Sequence, residues 1–380
     1  MSDKINSTVN LVKDKFTNTV KTMANVDRNK KVQFITIIII VCLLITIIYY
    51  IHSKVNLLKT NCKNLRKIYN STPSLSPIPS DTNYLLRDFY IKTAYNACAT
   101  GQFKNDYVGL CALRTCINQG ARCLDFEIYS VNDQPVVAVS SIKDFTVKES
   151  FNSLSTAKVF QMINNLAFSG TNCPNPGDPL ILHFRILSEN VAIYNILANQ
   201  IATYLSDRIL GVNYSFENNG HNLGAVPIKK FLGKIIIIAD ASNPLFRKTK
   251  LDEYINMSSG SPFMRIMHYG NLKNTQDLTL TNFNKQHMSI VLPDWSNYDN
   301  NPNFNIARQY GCQLIGMSYQ NFDSNLEHYN AFFDGERTAF VLKPAKLRYI
   351  PVTVKVPNKP PESYSYQNRA VTSNYYDYTI

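Results

Sequence analysis

An uninterrupted apolar run near the N-terminus limits what this chain can fold into more than any other feature. Residues 32–51 read VQFITIIIIVCLLITIIYYI and carry no charged side chain. At about 1.5 Å per residue, about 20 residues of α-helix cross the apolar core of a bilayer. The run is too long, and begins too far from Met1, for a cleaved signal peptide, and no small-residue cleavage motif follows it. We therefore predict one transmembrane helix and a single-pass membrane protein.

The flanks of this run do not assign its orientation. The positive-inside rule compares the lysines and arginines on the two sides of a membrane helix. Here they nearly balance, with Lys21, Arg28, Lys30 and Lys31 before the run and Lys54, Lys59, Lys63, Arg66 and Lys67 after it. The net charge of +12 includes no long Lys/Arg block. That distribution favours a membrane lipid partner over nucleic acid.

The cysteines and sequons give conflicting indications of compartment. Of eight cysteines, Cys42 lies in the apolar run, and the other seven form no CxxC pair that would favour zinc. An odd number favours buried free thiols in a cytosol-facing domain. Asn70, Asn213 and Asn256 begin Asn-x-Ser/Thr sequons, which accept glycans only in a lumenal domain. Such sequons also arise by chance in an Asn-rich chain.

Composition divides the chain into segments. A polar tail is predicted at 1–31, the transmembrane helix at 32–51, a helical stalk with a Pro/Ser linker at 52–82, a globular domain at 83–349 and an extended Tyr- and Pro-rich tail at 350–380. In the globular domain, strands are predicted at 89–96, 123–130, 136–141, 180–186, 234–240, 264–270, 288–293 and 313–320, with helices at 106–118, 155–168 and 189–209. This alternation predicts an α/β fold, a parallel sheet closed into a (β/α)8 TIM-type barrel.

Several motifs of the globular domain occur in a familiar order. They are YIKTAYNACATG (90–101), INQGARCLDFEIYSVNDQPVVAV (117–139), DPLILHF (178–184), SNYDNNPNFNIARQYGCQLIGMSYQNFD (296–323) and FVLKPAKLRY (340–349). Together they resemble the catalytic barrel of eukaryotic-type phosphoinositide-specific phospholipase C (PLC). The resemblance implies a PLC-like phosphodiesterase barrel, with an X half at 83–212 and a Y half at 226–349.

The resemblance also implies where the catalytic groups should stand. The family uses two histidines and a calcium ion to cleave a phosphodiester. This chain has Tyr95 at the first histidine position and Val139 at the second. A phenol, with an ordinary pKa of about 10, is a poor general acid–base at neutral pH, and valine transfers no proton.

The positions of the family's metal ligands are partly changed. The asparagine is retained as Asn96, and the Glu-x-Asp pair appears in exchanged order as Asp125 and Glu127. The fourth ligand, a glutamate, aligns with Arg185, while a shifted alignment would offer Glu189 instead. A guanidinium at that position would neutralise the carboxylates, so an ion network of Asp125, Glu127, Arg185 and His183 is expected in the barrel mouth.

The family's phosphate-binding positions are occupied by Ile238, Asp240, Ile290 and Leu292. Without lysine and arginine there, the charge-assisted bonds that hold a headgroup are lost. The sequence motifs that define the fold are therefore retained, while the catalytic and phosphate-binding residues are not. This pattern predicts a pseudoenzyme that acts as a binding or structural module. No cofactor is expected, and calcium only if activity remains.

Two alternatives stay open. The retained Asn96, Asp125 and Glu127 would suit an active phosphoric diester hydrolase with an altered substrate or mechanism, and Cys98 is either a nucleophile near the mouth or a buried thiol. The barrel rim and the Tyr-rich tail would suit a receptor for lipid or for a protein partner. The AT-rich style of composition, with the anchor, suggests a large DNA virus and a location in the virion or a host intracellular membrane.

Overall fold

A long apolar helix precedes the folded domain. The computed structural model describes residues 13–15, 17–18, 28–144, 147–272, 278–296, 300–351, 358, 364 and 366–380, so most of the predicted tail at 1–31 lies outside the described residues. Helix α1 runs from Arg28 to Val55. Its segment Lys30–Val55 has a mean hydropathy of 3.0 and no part of its apolar stretch is buried. By length and composition this helix could span a membrane, and its exposure excludes a core helix.

Eight parallel strands form the barrel. They are β1 (Phe89–Ala94), β2 (Cys123–Val131), β5 (Leu180–Ile186), β6 (Ile235–Asp240), β7 (Met257–Ser259), β8 (Met264–His268), β9 (Met288–Leu292) and β10 (Leu314–Met317). Their spatial order is β7-β6-β5-β2-β1-β10-β9-β8. The predicted TIM-type barrel is thereby confirmed. It is nearly closed, because β7 and β8 lie at the two ends of the strand order and do not pair with each other.

One predicted barrel strand is wrong. The run predicted at 136–141 is β3 (Gln134–Ala138), which pairs antiparallel with β2 as a hairpin and also with β4 (Leu154–Ser155). The missing barrel strand is β7, which has only three residues and gives no periodic signal of its own. A last antiparallel strand, β11 (Phe340–Leu342), pairs with β1.

The barrel strands are apolar along their whole length because both faces are covered. In β6 the four isoleucines are all fully buried, as expected for a parallel strand with helices outside and a packed interior. Strand β5, LILHFRI, is also buried throughout, which places His183 and Arg185 inside the protein.

Eight α-helices follow α1 in the described part of the chain, and most of them connect the barrel strands. The α-helices after α1 are α2 (Leu57–Ile68), α3 (Leu110–Asn118), α4 (Thr156–Leu166), α5 (Val191–Tyr204), α6 (Tyr269–Leu272), α7 (Leu278–Gln286), α8 (Phe304–Gln309) and α9 (Ser324–Gly335). Short 3-10 turns lie at Leu86–Asp88, Val212–Tyr214, Leu223–Ala225, Ile228–Phe231, Pro244–Lys248, Lys250–Tyr254 and Ala345–Leu347, and a left-handed turn at Ser215–Gly220.

The segment at 52–82, predicted as a stalk and linker, packs against the barrel. Helix α2 contacts α3, and a disulfide joins Cys62 to Cys111, so the expectation of free thiols is wrong for this pair. The signal was absent from the sequence because 49 residues separate the two cysteines. In the Pro/Ser stretch, Leu75 and Ile78 are buried in the core.

The C-terminal residues 349–380 form a separate unit. Its described part is not simply extended as predicted for 350–380, because β12 (Ala370–Thr372) and β13 (Asp377–Thr379) pair as an antiparallel hairpin.

Candidate functional site

Five polar side chains meet inside the barrel where β1, β2 and β5 lie side by side. Asp125 and Glu127 belong to β2, His183 and Arg185 to β5, and Asn96 follows β1. Asp125 is in register with His183, and Glu127 with Arg185. The spacing of two turns each pair toward the same face of its strand. Each of the five residues is at most 2% exposed.

The guanidinium of Arg185 lies between the two carboxylates. Its Nε and Nη2 donate to the two oxygens of Asp125 at 3.0 and 2.6 Å. Its Nη1 donates to Glu127 Oε1 at 2.9 Å, and Nη2 also donates to the side-chain oxygen of Asn96 at 2.9 Å. The PLC resemblance assigns four positions to metal ligands, and Arg185 occupies one of them. Its guanidinium is hydrogen-bonded to the residues at the other three.

Asp125 and Arg185 stabilise each other's charge. Burial alone would raise the pKa of Asp125, but Arg185 and the hydrogen bond from His183 outweigh it and hold that pKa below its usual value. For Arg185, burial is likewise outweighed by Asp125, Tyr95 and Glu127, and its pKa lies well above normal. Burial raises the pKa of Glu127, with Arg185 opposing only in part.

Glu127 is satisfied on both oxygens. Oε1 accepts from Arg185 and from the Asn96 side-chain amide, the latter at 3.1 Å. Oε2 accepts from the Tyr129 hydroxyl and from the Ser140 backbone amide, each at 2.9 Å. This full set of donors compensates a carboxylate with no access to water.

The backbone at Asn96 is left-handed, with φ of 43°. Asparagine adopts this region more readily than other non-glycine residues. The turn lets Asn96 donate from its backbone amide to Asp125 at 3.1 Å while its side chain reaches both Glu127 and Arg185. The retained asparagine thus organises the cluster from within the protein.

Two aromatic rings flank the guanidinium. The centre of Arg185's guanidinium lies 4.8 Å from the Tyr95 ring and 5.5 Å from the Trp295 ring. Tyr95 is 2% exposed and packs edge-on against Phe103. Trp295 is partly exposed and also lies against the His268 ring. Tyr95, which the resemblance assigns to the position of a histidine, supplies a stacking surface for Arg185.

A second hydrogen-bonded series starts from the same aspartate. His183 Nδ1 lies 2.6 Å from Asp125 Oδ1, and His183 Nε2 lies 2.8 Å from Ser259 Oγ. This is the residue order of a hydrolytic Ser-His-Asp triad. Ser259 and His183 are nevertheless fully buried, so no solvent or substrate reaches the hydroxyl in this conformation.

A divalent cation does not fit this donor set. Calcium takes about six to eight oxygen ligands. The oxygens of Asn96, Asp125 and Glu127 already accept hydrogen bonds from Arg185, and its positive charge would repel a cation. Elsewhere in the described part of the chain, no group of three or more His, Cys, Asp or Glu side chains could hold a metal.

The other sequence-predicted positions do not join the cluster's hydrogen bonds. Ile238, Ile290 and Leu292 are fully buried apolar residues, and Val139 is 1% exposed. Asp240 instead accepts from the backbone and hydroxyl of Ser242. Glu189, the shifted alternative, is exposed after β5, and burial raises the pKa of the Cys98 thiol well above normal, which disfavours a nucleophilic thiolate.

Sequence reasoning missed Ser259 and Trp295. Ser259 belongs to the three-residue strand that was not predicted. Trp295 follows β9 in a connecting segment, and its only signal was that it is the single tryptophan of the chain.

Comparisons with known proteins agree with this geometry at the level of the fold. The family model for the Y domain of phosphatidylinositol-specific phospholipase C matches residues 245–346. The crystal structure of L. pealei PLC21 is similar with a TM-score of 0.57 and 17% identity, over 71% of this chain and 38% of that one. S. officinalis PLC21 gives 0.56 and 18%, with the same coverage. No curated protein sequence matches.

The barrel is therefore PLC-like, and the chain spans 38% of the length of each of these two structures. At this level of identity the likeness establishes architecture. The activity must be argued from the side chains of the site.

Proposed function

We propose that this chain is a membrane-anchored, PLC-like barrel that has lost phosphodiesterase activity and acts as a binding or structural module. The observation that carries the proposal is the position of Arg185, bonded to Asn96, Asp125 and Glu127. A cation there would have to displace a paired, fully buried guanidinium. Such a displacement costs several kcal/mol, because it leaves charges unpaired inside the protein.

The positions that the resemblance assigns to the two catalytic histidines also lack a suitable acid–base group. General acid–base catalysis needs a group that exchanges a proton near neutral pH within hydrogen-bond reach of the substrate. Tyr95 is buried under Arg185 and Phe103, and Val139 has no titratable group. The apolar Ile238, Ile290 and Leu292 offer no charge-assisted bond to a phosphate.

A rim next to α1 supports the membrane anchor. The Lys54 amine donates to the Asn105 carbonyl at 3.3 Å and lies 5.7 Å from the Phe151 ring. Phe151 and Ile142 are 45% and 46% exposed, and Lys143 lies beside Ile142. Exposed apolar side chains and lysines together suit the interface of an anionic bilayer. We infer that α1 holds this edge of the barrel at the lipid surface, in a virion or host intracellular membrane.

The decisive assay measures chemistry and binding in the same preparation. Full-length protein in mixed micelles is incubated with phosphatidylinositol or its bisphosphate, with calcium and separately with EDTA. We expect no calcium-dependent release of inositol phosphates. Trp295 fluorescence reports on the Arg185 site, since the two groups lie 5.5 Å apart. We expect no change in it on titration with a soluble inositol phosphate.

The arrangement of Asp125, His183 and Ser259 favours one second candidate, a hydrolase with a changed mechanism. A panel of soluble phosphodiesters and carboxylic esters tests it, with Ser259→Ala as the matched variant. Turnover that this variant abolishes would replace the pseudoenzyme proposal. Calcium-dependent turnover that persists in the variant would also overturn it, in favour of the family's own chemistry.

A further inference from the structure

The disulfide lies in a packed contact between α2 and the barrel. The Cα atoms of Cys62 and Cys111 are 5.7 Å apart, within the usual range of about 4.4 to 6.8 Å. One residue earlier, the Asn61 amide donates to the Asp106 carboxylate at 2.9 Å. A methyl group added to Gly109 would approach Leu58 to 3.0 Å, so α2 is pressed closely against this loop. The bond therefore joins surfaces that are already fitted to each other.

The bond indicates an oxidising compartment. Disulfides form and persist in secretory compartments and outside cells, and are rare where glutathione keeps thiols reduced. The free cysteines of the barrel are Cys98, Cys116, Cys123, Cys173 and Cys312, all buried. Cys62 and Cys111 are the partly accessible pair. The disulfide therefore indicates on which side of the membrane the barrel lies, whereas the nearly equal numbers of basic residues on the two flanks of α1 do not.

The sequons differ in accessibility in the way that glycosylation requires. Asn70 lies exposed just after α2, and Asn213 is exposed in a short turn. Asn256 is only 4% exposed, and its side chain is held between the Ile237 amide and the Tyr214 carbonyl. A glycan is a bulky, solvated group that needs a surface position. Of the three sequons that follow α1, two therefore present an asparagine that a glycan could occupy in the folded barrel.

We propose that the barrel lies on the lumenal, oxidising side of a secretory membrane, and that Asn70 and Asn213 carry N-linked glycans while Asn256 does not. The N-terminal residues before α1 then lie on the reducing side. This inference rests on the proposed membrane anchor, and it names the side of the membrane and the modified residues that the anchor alone leaves open.

The test uses the full chain expressed in animal cells. Treatment with peptide N-glycosidase should increase mobility on a gel. Asn70→Gln and Asn213→Gln should each remove one step, and the double variant should show none. Thr72→Ala should abolish the Asn70 glycan, whereas Ser71→Ala should keep it, because the middle position of a sequon accepts any residue except proline. These neighbouring substitutions separate loss of the sequon from loss of folding.

A thiol count gives an independent readout. The protein is denatured without reductant and labelled with a maleimide-polyethylene glycol. The disulfide blocks two of the eight cysteines, so six labels are expected before reduction and eight after it. A membrane-integrated protein that carries no glycan overturns the proposal, as does one with eight reactive thiols before reduction. Release of the protein by alkaline carbonate would instead refute the membrane anchor, and glycans on that released protein would leave the lumenal assignment standing.

Discussion

Arg185 holds Asp125 by both carboxylate oxygens, with Nε 3.0 Å from Oδ1 and Nη2 2.6 Å from Oδ2. This bidentate geometry is the strongest that a guanidinium and a carboxylate can form. The pair lies inside a barrel whose relatives in fold are phospholipases, at positions that the resemblance assigns to metal ligands. The Arg185 guanidinium thus lies between the side chains that would otherwise be available to bind a metal ion.

Replacing Arg185 with methionine should lower the free energy of unfolding by about 3–5 kcal/mol, because Asp125 and Glu127 would remain buried without a counter-charge. Urea denaturation of the full chain in detergent measures the loss. Arg247→Met is the matched control. Arg247 also pairs with a glutamate, Glu217, but its side chain is 42% exposed, so the expected loss is below about 1 kcal/mol. Equal losses in the two variants would contradict the assigned role of Arg185.

Replacing Arg185 with glutamate should create a cation site that the natural protein lacks. Three carboxylates and the Asn96 amide would then face one another, which is an oxygen-rich set of the kind calcium prefers. We expect the variant to be less stable than the natural protein without calcium and to regain about 2.7 kcal/mol at a calcium concentration one hundred times its Kd.

The measurement is the melting temperature with calcium, with magnesium and with EDTA. The natural protein should show no calcium-specific shift. Arg247→Glu adds an acid at a surface site and controls for the change of net charge. A calcium-specific shift in the natural protein would show that Arg185 does not exclude the ion.

The barrel could be predicted because seven of its strands are apolar runs of four to nine residues, whereas β7 has three and was missed. That Arg185 would contact Asp125 and Glu127 could be predicted from the sequence. Residues two apart on a strand face the same side, so the side chains of adjacent strands meet inside the barrel. Their hydrogen-bond geometry was not foreseeable. The pairing of Cys62 with Cys111 could not be read either, because spacing does not fix disulfide connectivity.

Lys343 should make stability depend on pH. Burial lowers its pKa from 10.5 to about 7, with Asp88 and Cys312 opposing and Arg87 and Arg348 adding to the shift. Between these values the unfolded chain holds a proton that the folded chain has released. The contribution of Lys343 to the free energy of unfolding should therefore rise with pH from about 7 upward, by at most about 1.4 kcal/mol per pH unit.

Denaturation of the natural protein at pH 7 and pH 9 measures this slope. Lys343→Met should remove this contribution and make the slope less positive than in the natural protein, although it also loses the bonds from the amine to the carbonyls of Asn284 and Gly311. Lys346→Met changes an exposed lysine three residues away and should keep the rise. The buried free cysteines, whose pKa values burial raises, oppose this contribution near pH 9. They are common to all three proteins, as are the buried tyrosines, so the difference in slope between the proteins reports on Lys343. A slope that is the same in all three would assign the dependence to other groups.

Breaking the disulfide should loosen α2 from the barrel. The bond closes a loop of 49 residues, and in the chain-entropy model such a closure stabilises the folded state by about 4 kcal/mol. Cys62→Ser should therefore lower the free energy of unfolding by about 2–4 kcal/mol, and the hydrogen bond from Asn61 to Asp106 should no longer suffice to hold α2. Hydrogen exchange should then rise in α2 and in the loop before α3, but not in β5 or β6.

Adding reductant to the natural protein should reproduce the loss, and adding it to the variant should change nothing further, because the remaining described cysteines are free. Unchanged exchange in α2 would mean that packing alone fixes this helix to the barrel.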